Sequence, residues 1–298
     1  MSPNEAEAIE SELAPPFNVA QPQQLRLPLV FNSPHSGRIY PSAFLAASRL
    51  DSLALRRSED AYVEELFAFV ADLGAPLLYA HFPRAYLDVN REPYELDPVL
   101  FRDGLPHYAN TQSVRVVGGL GTIARIVSES DEIYREPLTV GAALERINRL
   151  YTPYHETLRR LLLNAQKEFG LAVLIDCHSM PSSPATDGGD RPDFVLGDRF
   201  GTSCRGELTR LAADHLKGLD YKVALNKPYA GGYITEHYGR PHKGRHALQI
   251  EINRALYMDE TSFEKSSGFK RLKGDLETMV KALAAGIPGL AIPRAAAE

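Results

Sequence analysis

Apolar and polar positions fall into blocks whose period changes along the chain. LVFN (29–32) and LAVLID (171–176) are nearly continuous apolar runs rich in branched residues, the pattern of strands covered on both faces of a sheet. PLLYAHF (76–82), AYLDVN (85–90), TIARIV (122–127), PDFVLGD (192–198), YKVAL (221–225) and HALQIEI (246–252) are further strand-like runs. Elsewhere the period lengthens. With Ser58 as N-cap, Tyr62, Leu66, Phe69, Val70 and Leu73 recur at helical spacing until Gly74, which predicts a helix over 58–73. Leu144, Ile147, Tyr151, Tyr154, Leu158, Leu161 and Leu162 predict a longer one, interrupted by a kink or fresh start at Pro153 and ending near Gly170. Helices are also expected over 202–217 and 262–285.

Strands interleaved with helices make this an α/β chain. The simplest architecture is a single three-layer α/β/α domain over 27–287 around a mixed β-sheet. The sheet is expected to be mixed because links as short as Phe82–Arg84 leave no room for a crossover helix. Residues 1–26, rich in Glu, Pro, Gln and Ala, are expected to form a mobile arm or a peripheral helix, and 288–298 a C-terminal tail.

Composition removes several functions. A formal net charge of −5 without a polybasic run argues against a nucleic-acid partner. No apolar stretch approaches the roughly 20 residues of a membrane span, so a soluble protein is expected. The acidic N-terminus lacks a secretory pattern, and two cysteines, Cys177 and Cys204, suit a reducing compartment; the cytoplasm is the expected location. Cys177 could be a nucleophile between Asp176 and His178, but reads better as a small buried filler.

Ligands of open α/β sheets bind beyond the carboxyl ends of strands, and chemistry-bearing residues gather there. His35 follows LVFN; Arg84, Asn90 and Arg91 surround AYLDV; Asp176 and His178 end LAVLID; Glu251 and Arg254 end HALQIEIN. Two imidazoles with spare carboxylates are the ligand types of a catalytic zinc. Glu59 and Asp60 are candidates for the third ligand, although acids at a predicted helix start also serve the helix dipole. Asp176, two residues before His178, shares its strand face and could orient it. Glu251, between Ile250 and Ile252, is an acid in an apolar setting that must be paired, with Arg254 for example, or must work. Arg91 could equally pair with Glu92 or Glu95. His242 and His246, among Lys243 and Arg245, read as solvated, and His81, His107, His155 and His215 as structural.

The segments NSPHSGRIYP, RRSEDAYVEELF, FPRAYLDVNREP, GLGTIARIV, LIDCHSMPS, RPDFVLGDRFGTSC, NKPYAGGYITEHYGRP and HALQIEINRALYMDE run in order from about Leu27 to Leu276. Together they resemble the N-formylglutamate amidohydrolase family. More distantly, the arrangement is similar to zinc carboxypeptidases and to the aspartoacylase and succinylglutamate desuccinylase group, which implies a zinc-carboxypeptidase-like (phosphorylase/hydrolase-like) fold. The resemblance implies one Zn2+ per chain, or another divalent transition metal, held by His35, His178 and an acid of the SED segment. Asp60 is the better match there and Glu59 the alternative. The position three after His35 is Arg38, which departs from the carboxypeptidase spacing of first histidine and acidic ligand.

By the same resemblance Arg84 polarises the scissile carbonyl, Glu251 is the general base, and Asn90 and Arg91 grip a substrate carboxylate; His237, in the GGYITEHYG loop, and Arg254 are further substrate-binding candidates. The implied reaction is metal-dependent hydrolysis of N-formyl-L-glutamate, a small anionic N-acyl amino acid, to formate and L-glutamate, as in histidine degradation. An SED rather than a DTD segment leaves the acyl group and amino acid open. The alternatives are a zinc amidase or carboxypeptidase for another N-acyl amino acid or small peptide, a metal-free module binding an acidic amino acid, and a cysteine hydrolase using Cys177.

Overall fold

The apolar run LAVLID lies at the centre of a sheet. The computed structural model describes residues 5–127, 131–182 and 192–287; the first four residues of the expected arm and the expected tail 288–298 lie outside the described residues. Among the described residues nine strands are formed: β1 (Phe17–Ala20), β2 (Leu29–Ser33), β3 (Leu77–Ala80), β4 (Ile126–Val127), β5 (Asp131–Glu132), β6 (Ala172–Met180), β7 (Phe194–Gly197), β8 (Val223–Leu225) and β9 (Arg245–Asn253). Seven of them make one sheet in the order β1-β3-β2-β6-β9-β7-β8, and β4 and β5 pair separately. β2, β6 and β9 are parallel to one another, β7 runs antiparallel to β9, and β8 is parallel to β7. The sheet is mixed and the class α/β, as the sequence predicts.

By its internal contacts the chain divides into two compact units. The first comprises Met1–Asn18, Pro34–Ala61 and Tyr79–Leu158, the second Val19–Ser33, Tyr62–Leu78 and Arg159–Glu298. β2, β6, β7, β8 and β9 lie wholly in the second. All nine residues of β6 are buried. In register, Asn32 faces Asp176, Asp176 faces Gln249 and His178 faces Glu251. Side chains alternate between faces, so these five polar residues share one face of the sheet. Phe31, Ile175, Cys177, Ile250 and Ile252, also buried, take the other. Each large apolar side chain there contributes about 1.5–3 kcal/mol, and a slip of one residue would exchange the two sets.

Three segments depart from their sequence pattern. The helix expected over 58–73 is reduced to two short helical stretches, Val63–Leu66 and Val70–Leu73. Tyr62 stands in the left-handed region with φ 66° and cannot continue a helix, and the Asp60 N–H donates to the His35 carbonyl at 2.9 Å. The buried apolar stripe survives, because Val63, Leu66 and Val70 still face inward, and Gly74 closes the segment at φ 96° as expected. AYLDVN is not a strand. Tyr86 and Leu87 N–H both donate to the Pro83 carbonyl, and the Asp88 carboxylate accepts the Asn90 N–H at 2.8 Å, a local bond that competes with a sheet ladder. Of TIARIV only Ile126 and Val127 are extended.

In the first unit the residues after Met1–Asn4 begin with a helix, Glu5–Glu12, with Ala8 and Ile9 buried. Glu5 accepts from Arg146 Nε at 2.5 Å and from the Tyr86 hydroxyl, while the Arg146 guanidinium lies 3.9 Å over the Tyr86 ring. The interruption predicted near Pro153 is a π-helical turn, Ile147–Tyr151, between Val140–Arg146 and Thr152–Phe169. Proline has no N–H to give the carbonyl four residues back, so the ladder shifts just before it. The Tyr151 hydroxyl donates to the Arg91 carbonyl at 2.7 Å, and His155 Nε2 lies 2.8 Å from the Val89 carbonyl. Gly37 passes the 81–82 backbone so closely that a Cβ would lie 2.1 Å from the Phe82 oxygen, which excludes any side chain there. No described helix is long and apolar enough to cross a membrane.

His246, expected to be solvated, is buried on β9, and its Nδ1 accepts the Arg205 N–H at 3.4 Å. Burial, then the Arg205 charge, lower its pKa from 6.5 to about 4. The unfolded chain therefore takes up a proton near pH 6.5 that the folded chain refuses until about pH 4, so stability is full above 6.5 and falls as the pH drops through that window. His246→Gln should flatten the pH dependence of the urea midpoint between pH 6.5 and 4 relative to the parent; an unchanged slope would contradict the assignment.

Candidate active site

Pro34 and Gly37 bracket a turn that holds His35 against the first unit's interior. His35 is almost completely buried between two carboxylates: Nε2 is 2.8 Å from Asp88 Oδ1 and Nδ1 is 3.4 Å from Asp60 Oδ2. An ionised carboxylate can only accept, so in the neutral imidazole the hydrogen sits on Nε2 toward Asp88. Nδ1 then turns its lone pair toward Asp60, and two electron-pair donors facing each other are an arrangement a cation satisfies. A carboxylate behind the outer nitrogen is the usual way a metal-binding imidazole is fixed.

Asp88 collects the surrounding charge. It accepts from Arg84 Nε at 2.9 Å and from the Asn90 N–H at 2.8 Å, and Arg91 Nη2 lies 3.4 Å away. Burial pushes its carboxyl up, but Arg91, His35 and Arg84 together outweigh that and hold it well below the usual carboxylate range. Arg91, expected to grip substrate, is itself buried and donates to the carbonyls of Leu120 and Asn90 at 2.7 and 2.9 Å. The Arg84 side chain keeps 29% of its surface exposed. Glu59 is engaged otherwise: the Tyr40 hydroxyl donates to it at 2.6 Å and Arg56 Nε at 3.2 Å. Burial raises its carboxyl above the ordinary range against those two partners. Asn90 is buried beside Asp88 in sequence.

The second unit repeats the imidazole–carboxylate device on its polar sheet face. His178 Nε2 lies 3.1 Å from Asp176 Oδ2, and Asn32 Nδ2 donates to the other oxygen, Oδ1, at 2.7 Å. Glu251, in register with His178, accepts from Gln249 Nε2 at 2.8 Å. Arg254 is buried just past the end of β9 and donates to Ser179 Oγ at 3.1 Å. His237 is exposed in the helix Tyr233–Tyr238, its ring stacked on Tyr233 with centroids 5.0 Å apart. Cys177 is fully buried on the opposite, apolar face. Burial and the Asp176 charge push its thiol well above the ordinary range, which removes the thiolate a cysteine hydrolase needs.

Three buried residues carry donors that could hold a metal ion, His35 and Asp60 in the first unit and His178 in the second. Two neutral imidazoles and one carboxylate are the donor set of a catalytic zinc site. The sequence comparison decides the family. Residues 27–258 match the family model described as N-formylglutamate amidohydrolase. The chain belongs to the N-formylglutamate amidohydrolase family. It is 32% identical over 240 residues to the N-formylglutamate deformylase of Pseudomonas aeruginosa, covering 79% of this chain and 84% of that protein. Identity to the Pseudomonas putida deformylase is 33% over 242 residues, 80% and 84% of the two chains. The crystal structure of N-formylglutamate amidohydrolase from Ralstonia eutropha JMP134 superposes with a TM-score of 0.86 at 37% identity, over 92% of this chain and 99% of that one.

Within this N-formylglutamate amidohydrolase family chain, two residues with central places were not singled out by sequence reasoning: Asp88 and Gln249. Each carried a signal. Asp88 is a charged residue between Leu87 and Val89 in an otherwise apolar run, and Gln249 stands two residues before Glu251, on its strand face. Removing the carboxylate should leave two arginines and an imidazole without their shared counter-charge. Asp88→Ala is expected to cost about 3–5 kcal/mol of stability by urea unfolding; a loss below about 1 kcal/mol would show that Asp88 is not the hub of this cluster.

Proposed function

We propose that the protein hydrolyses the formyl amide of N-formyl-L-glutamate to formate and L-glutamate, with a divalent metal, zinc by preference, held by His35, Asp60 and His178. What carries the reading is that the segments bearing these donors and Glu251 all fall inside the 27–258 family match, and that relatives sharing about a third of their residues are named N-formylglutamate deformylases. Asp60 is preferred over Glu59 because Tyr40 and Arg56 already occupy the Glu59 carboxylate. Asp88, bonded to Nε2, orients the His35 ring so that Nδ1 faces Asp60.

When bound, the metal supplies Lewis-acid polarisation and a more acidic water. Glu251 takes a proton from the attacking water as its oxygen bonds to the formyl carbon, and returns it to the glutamate nitrogen as the C–N bond breaks. Arg84, tethered by Nε to Asp88, donates to the carbonyl oxygen as negative charge grows on it. Because the Arg91 guanidinium is spent on backbone carbonyls and Asp88, we assign it to holding Asp88 and its loop, with Asn90. Arg254 and His237 are assigned to the substrate's own carboxylates. Two buried free thiols, Cys177 and Cys204, support a reducing compartment, the cytoplasm.

Formate release from N-formyl-L-glutamate should be lost on chelation and restored by zinc. A zinc-loaded protein that releases no formate, yet cleaves other N-acyl amino acids in a panel, would transfer the reading to the broader amidase. His35→Ala should lose both metal and turnover, and full metal content in that variant would remove His35 from the ligand set. Glu251→Gln should keep its metal and lose about 10²–10⁴-fold in kcat; normal turnover would end the general-base assignment.

A further inference from the structure

Gln249 lies in the second unit, buried on β9 two residues before Glu251, and its amide is used at both ends. Its Oε1 accepts the Gly232 N–H at 2.7 Å and faces the Thr235 hydroxyl at 3.4 Å, while its Nε2 donates to Glu251 Oε1 at 2.8 Å. The orientation is forced. A backbone N–H can only donate, so the oxygen must face Gly232, and the amino group is left for the carboxylate. Gly232 caps the helix Tyr233–Tyr238 and follows Gly231, whose φ of +116° few other residues adopt. The incoming loop is pressed on β7, where a Cβ on Gly197 would sit 2.7 Å from the Ala230 carbonyl carbon. The oxygen of Gln249 is thus tied to a rigid turn, and its nitrogen holds one oxygen of Glu251.

We infer that Gln249 is a positioning residue for Glu251: it couples the Gly231–Gly232 turn to the carboxylate and confines the geometry from which the carboxylate exchanges the proton. The inference rests on Glu251 acting as the base in the proposed hydrolysis. A glutamate with three side-chain torsions reaches a proton only from part of its range, and a donor clamped on Oε1 confines that range without touching substrate. The role therefore concerns turnover rather than affinity.

The test compares kcat and KM for N-formyl-L-glutamate in zinc-loaded Gln249→Leu, Gln249→Glu and Glu251→Gln proteins and in the Gln249→Leu/Glu251→Gln double variant, with metal content measured in each. Gln249→Leu should lower kcat about 10- to 100-fold, a part of the roughly 10²–10⁴ that a positioned base contributes, with KM within about threefold and zinc retained. Gln249→Glu keeps the acceptor for Gly232 and so guards against a folding failure of the leucine variant, but sets a second carboxylate against Glu251; it should lose at least as much kcat. In the Glu251→Gln background Gln249→Leu should cost less than about twofold, since residues acting as one unit are not additive. A Gln249→Glu enzyme at the parental kcat, or a full additional loss in the double variant, overturns the inference. An inactive Glu251→Gln beside a normal Gln249→Leu overturns it alone, whereas a normal Glu251→Gln overturns the general-base reading and the inference with it.

Discussion

A strand buried along all nine of its residues, β6, can carry polar side chains only if each is satisfied inside the protein. That constraint organises the second unit. The chain meets it by register: β2 and β9 run parallel on either side and place Asn32 beside Asp176 and Glu251 beside His178. Asn32 donates to Asp176 and Gln249 to Glu251, two amide–acid pairs on one face of the sheet. The other face, with Ile175, Cys177, Ile250 and Ile252, stays apolar and fixes the register, since a slip would bury the acids among branched aliphatic side chains.

The first unit solves the same problem without a ladder. Asp88 is buried in a segment with no regular secondary structure, and an uncompensated charge there would be prohibitive. Two guanidinium groups, an imidazole and a backbone N–H compensate it, and in doing so they shape the 84–91 loop. The surroundings reinforce that shape: Tyr151 and His155 reach the Arg91 and Val89 carbonyls, Arg146 from the preceding helix donates to the Tyr86 carbonyl, and Glu5 from the first helix accepts from the Tyr86 hydroxyl. Irregular backbone is thus kept in place by side chains from three separate parts of the sequence, Glu5, His35 and 146–155.

In both units a carboxylate stands behind an imidazole, Asp88 behind His35 and Asp176 behind His178. At His35 the hydrogen bond to Asp88 leaves Nδ1 as an electron-pair donor, which suits metal binding, whereas the Asp176 oxygen nearest His178 makes no hydrogen bond. The residue spacing differs, 53 positions in one case and two in the other, because strand alternation brings Asp176 to His178 directly while Asp88 needs a folded loop.

The sequence by itself determined the class, the buried strands and most of the chemical cast. LAVLID and HALQIEI read as strands because burial on both faces leaves an apolar run, and the order of the motifs matched the family because local composition is preserved in the chain. His35, His178 and Glu251 were legible as polar residues at the ends of apolar runs, and Asp60 as an acid at a predicted helix start. Which donor each would meet was decided by tertiary structure alone. Glu59 and Asp60 are neighbours with the same chemistry, and only the placement of Tyr40 and Arg56 occupies one of them. The Arg91 Nε donates to the carbonyl of Leu120, 29 residues away, a contact that the local sequence does not announce. AYLDVN has strand propensity, and the Asp88 carboxylate turns it, because one buried charge outweighs the modest preferences of six residues for extended backbone.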